Sequence, residues 1–190
     1  MLKSWIIILI HQIVFQGMFV TKNTILGKKT GKQIRGKNKE ATDLIIFFTI
    51  YVVVSLVFSI LEIPIGEIKI LSNFTTMTLG IVLLIVNLVI SLFSMINLKD
   101  SWRVGTVEDQ KTELVSSGIY KLTRNPYFLS HLIMFAAYTI ILQNVILLVL
   151  SIIGFFFIHK MVLKEETHLY SIHGNAYEQY KKKVPRYIII

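Results

Sequence analysis

From Tyr127 to Ile158 the chain carries no Asp, Glu, Lys or Arg. Such a run is too long for one ordinary membrane helix, which needs roughly 20 apolar residues to cross about 30 Å of hydrocarbon, and short for two full ones. Gln143-Asn144 near its middle offers a turn, so the sequence predicts a tight helical hairpin. Three further runs qualify as spans: Ser4 to Val20, Leu44 to Leu61 and Thr75 to Leu98. The first carries His11, Gln12 and Gln16, a polar face expected to look into the bundle, and the third has Asn87 as its only strongly polar interior side chain. Runs this long without period-2 alternation do not resemble barrel staves. The expected fold is an all-α integral membrane protein with about five transmembrane helices, including a C-terminal helical hairpin, plus a cytoplasmic interfacial helix over His159 to Lys183.

Composition agrees: 54% hydrophobic residues, 16% charged residues and a mean hydropathy of +0.65 do not suit a soluble globule. The net charge of +9 gathers between the apolar runs, which points to membrane topology and not to nucleic acid. Lys22, Lys28, Lys29, Lys32, Arg35, Lys37 and Lys39 lie between the first two spans, whereas Lys69 stands alone among cations between the second and third. Lys99, Arg103, Lys111, Lys121 and Arg124 precede the hairpin, and a basic tail follows it. Five spans then place the N-terminus outside and the C-terminus inside, with the basic segments cytoplasmic. The run Gly27-Lys28-Lys29-Thr30-Gly31-Lys32 is expected to be flexible and solvated, a topology signal. Met1-Leu2-Lys3 is a thin basic region and no small-x-small site follows the first run, so that run is expected to stay as a helix. The absence of cysteine excludes a disulfide framework, a thiolate nucleophile and Cys-ligated metal.

Asp100 to Pro126 and Lys160 to Arg186 hold most of the acids, tyrosines and arginines, while the spans are nearly bare. A hairpin that enters the membrane and returns must bring these two segments together. The site so formed is open to water on one side and roofed by apolar helices on the other, which suits a polar cosubstrate meeting a lipidic one. The chain divides accordingly into residues 1–98, N-terminal transmembrane helices with a basic loop, and 99–190, a catalytic region.

Three groups of residues carry a resemblance. They are Leu114-Val115-Ser116-Ser117-Gly118-Ile119-Tyr120, then Arg124-Asn125-Pro126-Tyr127-Phe128-Leu129, then Glu165-Glu166 with Gly174, Tyr177, Tyr180 and Val184-Pro185-Arg186. Between Lys111 and Tyr187 the chain resembles the isoprenylcysteine carboxyl methyltransferase family, which is related to the membrane phospholipid methyltransferases. The resemblance implies methyl transfer from S-adenosylmethionine to a lipidic or isoprenoid-bearing acceptor, at a carboxylate, in a cytoplasm-facing pocket. By position, Leu114, Val115, Tyr120, Asn125, Pro126, Tyr127 and Phe128 would line the donor pocket, with Glu165 as its acidic partner. A carboxylate can hold the donor's amine or ribose hydroxyls, and aromatic faces favour its sulfonium. Arg124 could grip the donor carboxylate in a two-pronged pair. A carboxylate acceptor is ionised near neutral pH and needs no general base; an amine or hydroxyl would need one, for which Glu166 is the nearest candidate. The chain departs from the family at Asn125, Phe128, Ser130 and Met161, where the eukaryotic enzymes carry His, an aromatic hydroxyl, Gly and Arg. Asn125 cannot carry a proton, and Met161 leaves the acceptor open.

Structural readings stand beside these. Arg124-Asn125-Pro126 also suits a helix start; Tyr177 and Tyr180 suit an interfacial aromatic belt as well as a pocket; Val184-Pro185-Arg186 suits a change of chain direction; and His131 suits a hydrogen-bonded packing residue. His159, His168 and His173 lack His-Glu-x-x-His spacing, so no metal is expected, and no Gly-x-Gly-x-x-Gly marks a Rossmann-type site. The implied partners are the bilayer and a lipidic methyl acceptor. The alternatives are a membrane reductase of the sterol-reductase type using NADPH and a non-catalytic membrane lipid-binding protein.

Overall fold

A computed structural model describes residues 3–32, 34–36, 38–107 and 112–187; Met1, Leu2, Lys37 and Lys111 of the sequence reading lie outside them. Among the described residues the regular structure is helical: α1 (Ser4–Thr30), α2 (Lys39–Ile60), α3 (Asn73–Leu98), α4 (Pro126–Leu142), α5 (Val145–His173) and α6 (Asn175–Lys183). Short 3-10 turns occupy Lys99–Ser101 and Gly118–Lys121. Helices α1, α2, α3 and α5 are long and apolar enough to cross a bilayer, and α4 is a shorter apolar helix of 17 residues. Ile13, Val53, Ile85 and Phe156 are among many large apolar side chains exposed around the bundle, an outer surface suited to lipid rather than water.

The helices begin where side chains can satisfy free backbone donors. Asn38 accepts from the Ala41 N–H, Ser72 from Thr75, and Asn144 from both Ile146 and Leu147. Pro126 opens α4, where its missing N–H leaves no bond unmade. The expected hairpin turn is present: Gln143 takes the left-handed conformation at φ 43° and Asn144 caps α5. The residue 61–72 loop is bonded to this turn. Gln143 Oε1 accepts from the Ile70 and Leu71 N–H groups at 3.1 and 3.0 Å, and Asn144 Nδ2 donates to the Ile65 carbonyl at 2.8 Å.

Two boundaries differ from the sequence reading. Helix α1 runs on through Lys28 and Lys29 to Thr30, so the glycine-lysine run is helical up to its Gly31 cap, and Lys29 Nζ meets Asp100 at 2.7 Å. Two lysines in a last turn complement the helix dipole, and an acidic partner holds one of them. At the other end, residues 159–173 continue α5 without a break, and only α6 is a separate helix beyond Gly174.

Helix α4 sits at the centre, packed against α3 and α5 and touching α1 and α2. The polar face of α1 looks inward as expected. His11 Nε2 donates to Asn87 Oδ1 at 2.8 Å, which leaves Nδ1 to accept from Tyr138 Oη at 2.7 Å. Gln12 Nε2 donates to the same phenol at 2.8 Å, and Asn87 Nδ2 donates to the Ser130 carbonyl at 2.7 Å. These bonds pin α1 and α3 to α4, in an apolar medium where an unmet polar group is costly. Gly154 lets α5 approach its neighbours: a Cβ there would stand 2.6 Å from Phe135 Cε2 and 2.7 Å from Phe47 Cε1. Gly154→Val is therefore expected to destabilise the bundle by about 1–3 kcal/mol, read as a lower thermal unfolding midpoint in detergent. An unchanged midpoint would contradict this packing of α2, α4 and α5.

Candidate active site

The segment between α3 and α4 is held by its neighbours. Ile34 and Val104 exchange backbone bonds with the chain across from them, Val104 N–H to the Ile34 carbonyl and Gly36 N–H to the Val104 carbonyl, each 2.9 Å. Asn97, at the end of α3, accepts from the Ile119 N–H at 2.9 Å and lies against Gly118, whose φ of +61° and lack of a side chain this contact requires. The tail then closes over the start of α4. Arg124 N–H donates to the Pro185 carbonyl at 2.9 Å, and Thr123 Oγ1 and Asn125 Nδ2 donate to the Arg186 carbonyl at 2.9 and 3.2 Å. Tyr180 Oη donates to the Tyr120 carbonyl at 2.7 Å.

A buried ionic cluster joins the same segments. Glu166 Oε1 accepts from Arg124 Nη2 and Arg186 Nε, both at 3.0 Å, and from Asn125 Nδ2 at 3.2 Å; Oε2 accepts from Arg186 Nη2 at 2.9 Å. Arg124 Nη1 donates to the Lys181 and Val184 carbonyls at 2.9 and 3.0 Å. The Arg124 and Glu166 side chains are only 7% and 9% exposed, so their pairing is largely dry. Bonding to Glu166 raises the pKa of Arg186 further. Burial pushes the Tyr120, Tyr177 and Tyr180 phenols well above their ordinary value, which keeps all three protonated at neutral pH.

Beside this cluster lies a cavity of about 630 Å³, inside the roughly 300–1,000 Å³ range of small-molecule sites. All nine residues Leu114, Val115, Tyr120, Arg124, Asn125, Pro126, Tyr127, Phe128 and Glu165 line it. Glu166 does not line it and stands with the arginines. Neighbouring residues of a helix point about 100° apart, so the tandem acids face different surroundings. Glu165 has no hydrogen-bond or ion-pair partner among the described residues. Two buried polar atoms at this polar end also lack partners, Arg124 Nε and Tyr177 Oη.

The other end of the cavity is aromatic, and sequence reasoning missed it. Phe15 and Phe19 of α1, Phe48 of α2, Trp102 and His131 line it with Tyr127. The Tyr127 ring stacks on Phe15 with centroids 6.2 Å apart and meets Trp102 edge-on at 4.8 Å. Ile45 and Thr49 of α2 also line the cavity, and the side of Thr49 is exposed on the bundle's outer face. Arg186, expected to serve chain direction, is the second cation of the Glu166 cluster. Among the described residues no group of three or more potential metal ligands gathers.

Comparisons with known proteins follow this geometry. A family model described as phospholipid methyltransferase matches residues 75–176, from the first turn of α3 into α6. The chain is also similar to the protein-S-isoprenylcysteine O-methyltransferase of Schizosaccharomyces pombe, with 36% identity over 73 residues. That match covers 38% of this chain and spans just under a third, 31%, of the relative.

The two glutamates should behave differently when truncated. Glu166→Ala leaves two buried arginines without their counter-charge and is expected to cost about 3–5 kcal/mol; Glu165→Ala removes an unpaired acid and is expected to leave the thermal midpoint unchanged or higher. Equal losses in both would contradict the division of the pair.

Proposed function

Since the chain belongs to the phospholipid methyltransferase family, we propose that it is an integral membrane enzyme that moves the methyl group of S-adenosylmethionine to a lipidic acceptor. The observation that carries this reading is one cavity with two unlike ends: unpaired polar groups around Glu165 and an aromatic arm between α1, α2 and α4. Leu114, Val115, Tyr120, Asn125, Pro126, Tyr127 and Phe128 form the wall of the donor end, where Glu165 accepts from the donor's amine or ribose hydroxyls. The bound donor supplies a methyl group on a sulfonium, an electrophile ready for in-line displacement. The aromatic rings attract positive charge and exclude water, and the backbone bonds around Asn97, Gly118 and Pro185 hold the walls in position, so catalysis comes from placement and desolvation.

Arg124 acts chiefly as a clamp in this reading, because both of its terminal nitrogens already bind Lys181, Val184 and Glu166. Glu166 is the clamp's anchor; with both oxygens engaged by arginines it does not serve as the base that an amine or hydroxyl acceptor would need. A carboxylate acceptor, the expectation from the resemblance, requires none. The aromatic arm takes the acceptor's apolar part, which reaches it laterally past Ile45 and Thr49. The basic segments favour a cytoplasmic position for this end of the bundle; in this reading Phe15, Phe19 and Phe48 of residues 1–98 contribute to the acceptor arm and residues 99–190 supply the donor walls.

Calorimetric titration of the detergent-purified protein with S-adenosylmethionine and S-adenosylhomocysteine, with NADPH as control, tests the donor site. Both adenosyl compounds are expected to bind, NADPH is not, and Glu165→Gln is expected to weaken binding about tenfold or more. Failure of both in folded protein removes the methyltransferase reading, and binding of NADPH alone would favour a reductase. The orientation has its own check, because the chain has no cysteine. A membrane-impermeant maleimide applied to intact cells is expected to label Ile70→Cys and spare Lys121→Cys; the reverse pattern would invert the topology.

A further inference from the structure

The aromatic arm contains two polar atoms without a hydrogen-bond partner among the described residues, Tyr127 Oη and His131 Nε2. His131 stands on α4 one turn beyond Tyr127, and its Nδ1 lies 2.9 Å from the Tyr127 carbonyl oxygen. A carbonyl only accepts, so Nδ1 carries the hydrogen. The ring is enclosed by Phe15, Phe48 and Tyr127, with centroids 5.2, 5.3 and 4.8 Å away and each ring close to perpendicular to it. It has no ion-pair partner among the described residues. A charged imidazolium without a counter-ion among apolar groups is costly, so the ring is neutral and Nε2 keeps its lone pair. That nitrogen has no hydrogen-bond partner among the described residues, although the ring lines the cavity. It is also absent from the set of fully enclosed polar atoms left without partners, which comprises Ser59 Oγ, Arg124 Nε, His173 Nε2 and Tyr177 Oη. The lone pair therefore faces open cavity.

We propose that His131 Nε2 is the recognition point for the lipidic acceptor, accepting a hydrogen bond from an O–H or N–H on that molecule. The proposal rests on the acceptor-arm reading above but departs from the carboxylate that the resemblance implies: the lone pair selects an acceptor whose polar group carries a hydrogen. A neutral imidazole fixed with its hydrogen on Nδ1 offers only a lone pair, so at this atom it favours an acceptor carrying a hydroxyl or amine and repels an ionised carboxylate, while the neighbouring Tyr127 hydroxyl can donate or accept. A site built around one hydrogen bond in an apolar cleft discriminates against the analogue that lacks the donor group, because its own polar atom is then left unmet. The backbone bond to Tyr127 fixes both the tautomer and the ring orientation, so the lone pair stays aimed into the arm without help from a second side chain.

The test uses the full chain in lipid nanodiscs and three tritiated probes of equal chain length: dodecan-1-ol, dodecyl methyl ether and dodecanoate. Scintillation proximity measures their equilibrium binding to wild-type protein, His131→Phe and His131→Gln; S-adenosylhomocysteine binding is measured separately on each. The alcohol is expected to bind wild-type protein about tenfold more tightly than the ether and the carboxylate. His131→Phe, which keeps a ring in the arm, should erase the preference for the alcohol over the ether, and His131→Gln, with its own acceptor oxygen, should restore part of it. Equal binding of alcohol and ether by wild-type protein, tighter binding of the carboxylate, or a preference that survives in His131→Phe each overturns the proposal. The donor measurement separates the two ideas: loss of S-adenosylhomocysteine binding in wild-type protein counts against the methyltransferase reading, while the comparison of probes still decides the role of His131.

Discussion

The carboxylate of Glu166 fixes three parts of the chain that are distant in sequence. Arg124 comes from the start of α4, Arg186 from the tail and Glu166 itself from the far end of α5. Taking such charges from water is costly, and their mutual attraction offsets this only when hydrogen bonds fill the remaining valences. Here Asn125 and the carbonyls of Lys181 and Val184 do so. Removing Glu166 takes the shared counter-charge from both arginines, which makes it the keystone of the arrangement. The polar wall of the cavity is built on this cluster: Arg124, Asn125 and Pro126 are at once members or neighbours of the ionic cluster and the lining of the cavity.

The bilayer imposes the second constraint, that backbone groups find partners without water. Helices meet it along their length, and the irregular segments meet it by bonding to one another. At one end, the residue 61–72 loop is bonded to the turn of the hairpin through Gln143 and Asn144. At the other, the strands of chain around Ile34 and Val104, and those around Arg124 and Pro185, pair in short backbone contacts. The helical hairpin between these ends brings Asn125 within reach of Glu166 across 41 positions of sequence. The cavity occupies the end where the polar segments converge, so its walls are ordered by hydrogen bonds as well as by packing.

What the sequence discloses about this arrangement follows from what a side chain does locally. The absence of charge from Tyr127 to Ile158 and the Gln143-Asn144 turn disclose the hairpin, because the cost of charge in lipid leaves a plain compositional mark. Arg124, Asn125, Pro126 and Glu165 stand out as polar or helix-starting residues at a membrane boundary, and the cavity brings them together. Phe15, Phe48 and Trp102 do not stand out. In a helix that is apolar all round, the face turned to a cavity has the same composition as the face turned to lipid, so no periodicity distinguishes them. The extension of α1 is hidden for a different reason: Lys28 and Lys29 look like loop residues until Asp100, far along the chain, is found beside Lys29.

The tandem Glu165-Glu166 illustrates how adjacent residues acquire opposite duties. A helix turns about 100° per residue, so of two neighbouring acids at the end of α5 one faces the cavity and the other faces the tail. The arginines neutralise Glu166 and leave Glu165 as the carboxylate exposed to a ligand. Rotating α5 by one residue, so that Glu166 took the place of Glu165, would turn Thr167 toward the arginines and leave them without a counter-charge. The length and register of α5 thus matter to the chemistry as much as the identities of the acids. Its continuation past the apolar stretch as one helix to His173 transmits that register from the packed core around Gly154 and Ile158 to the polar end of the cavity.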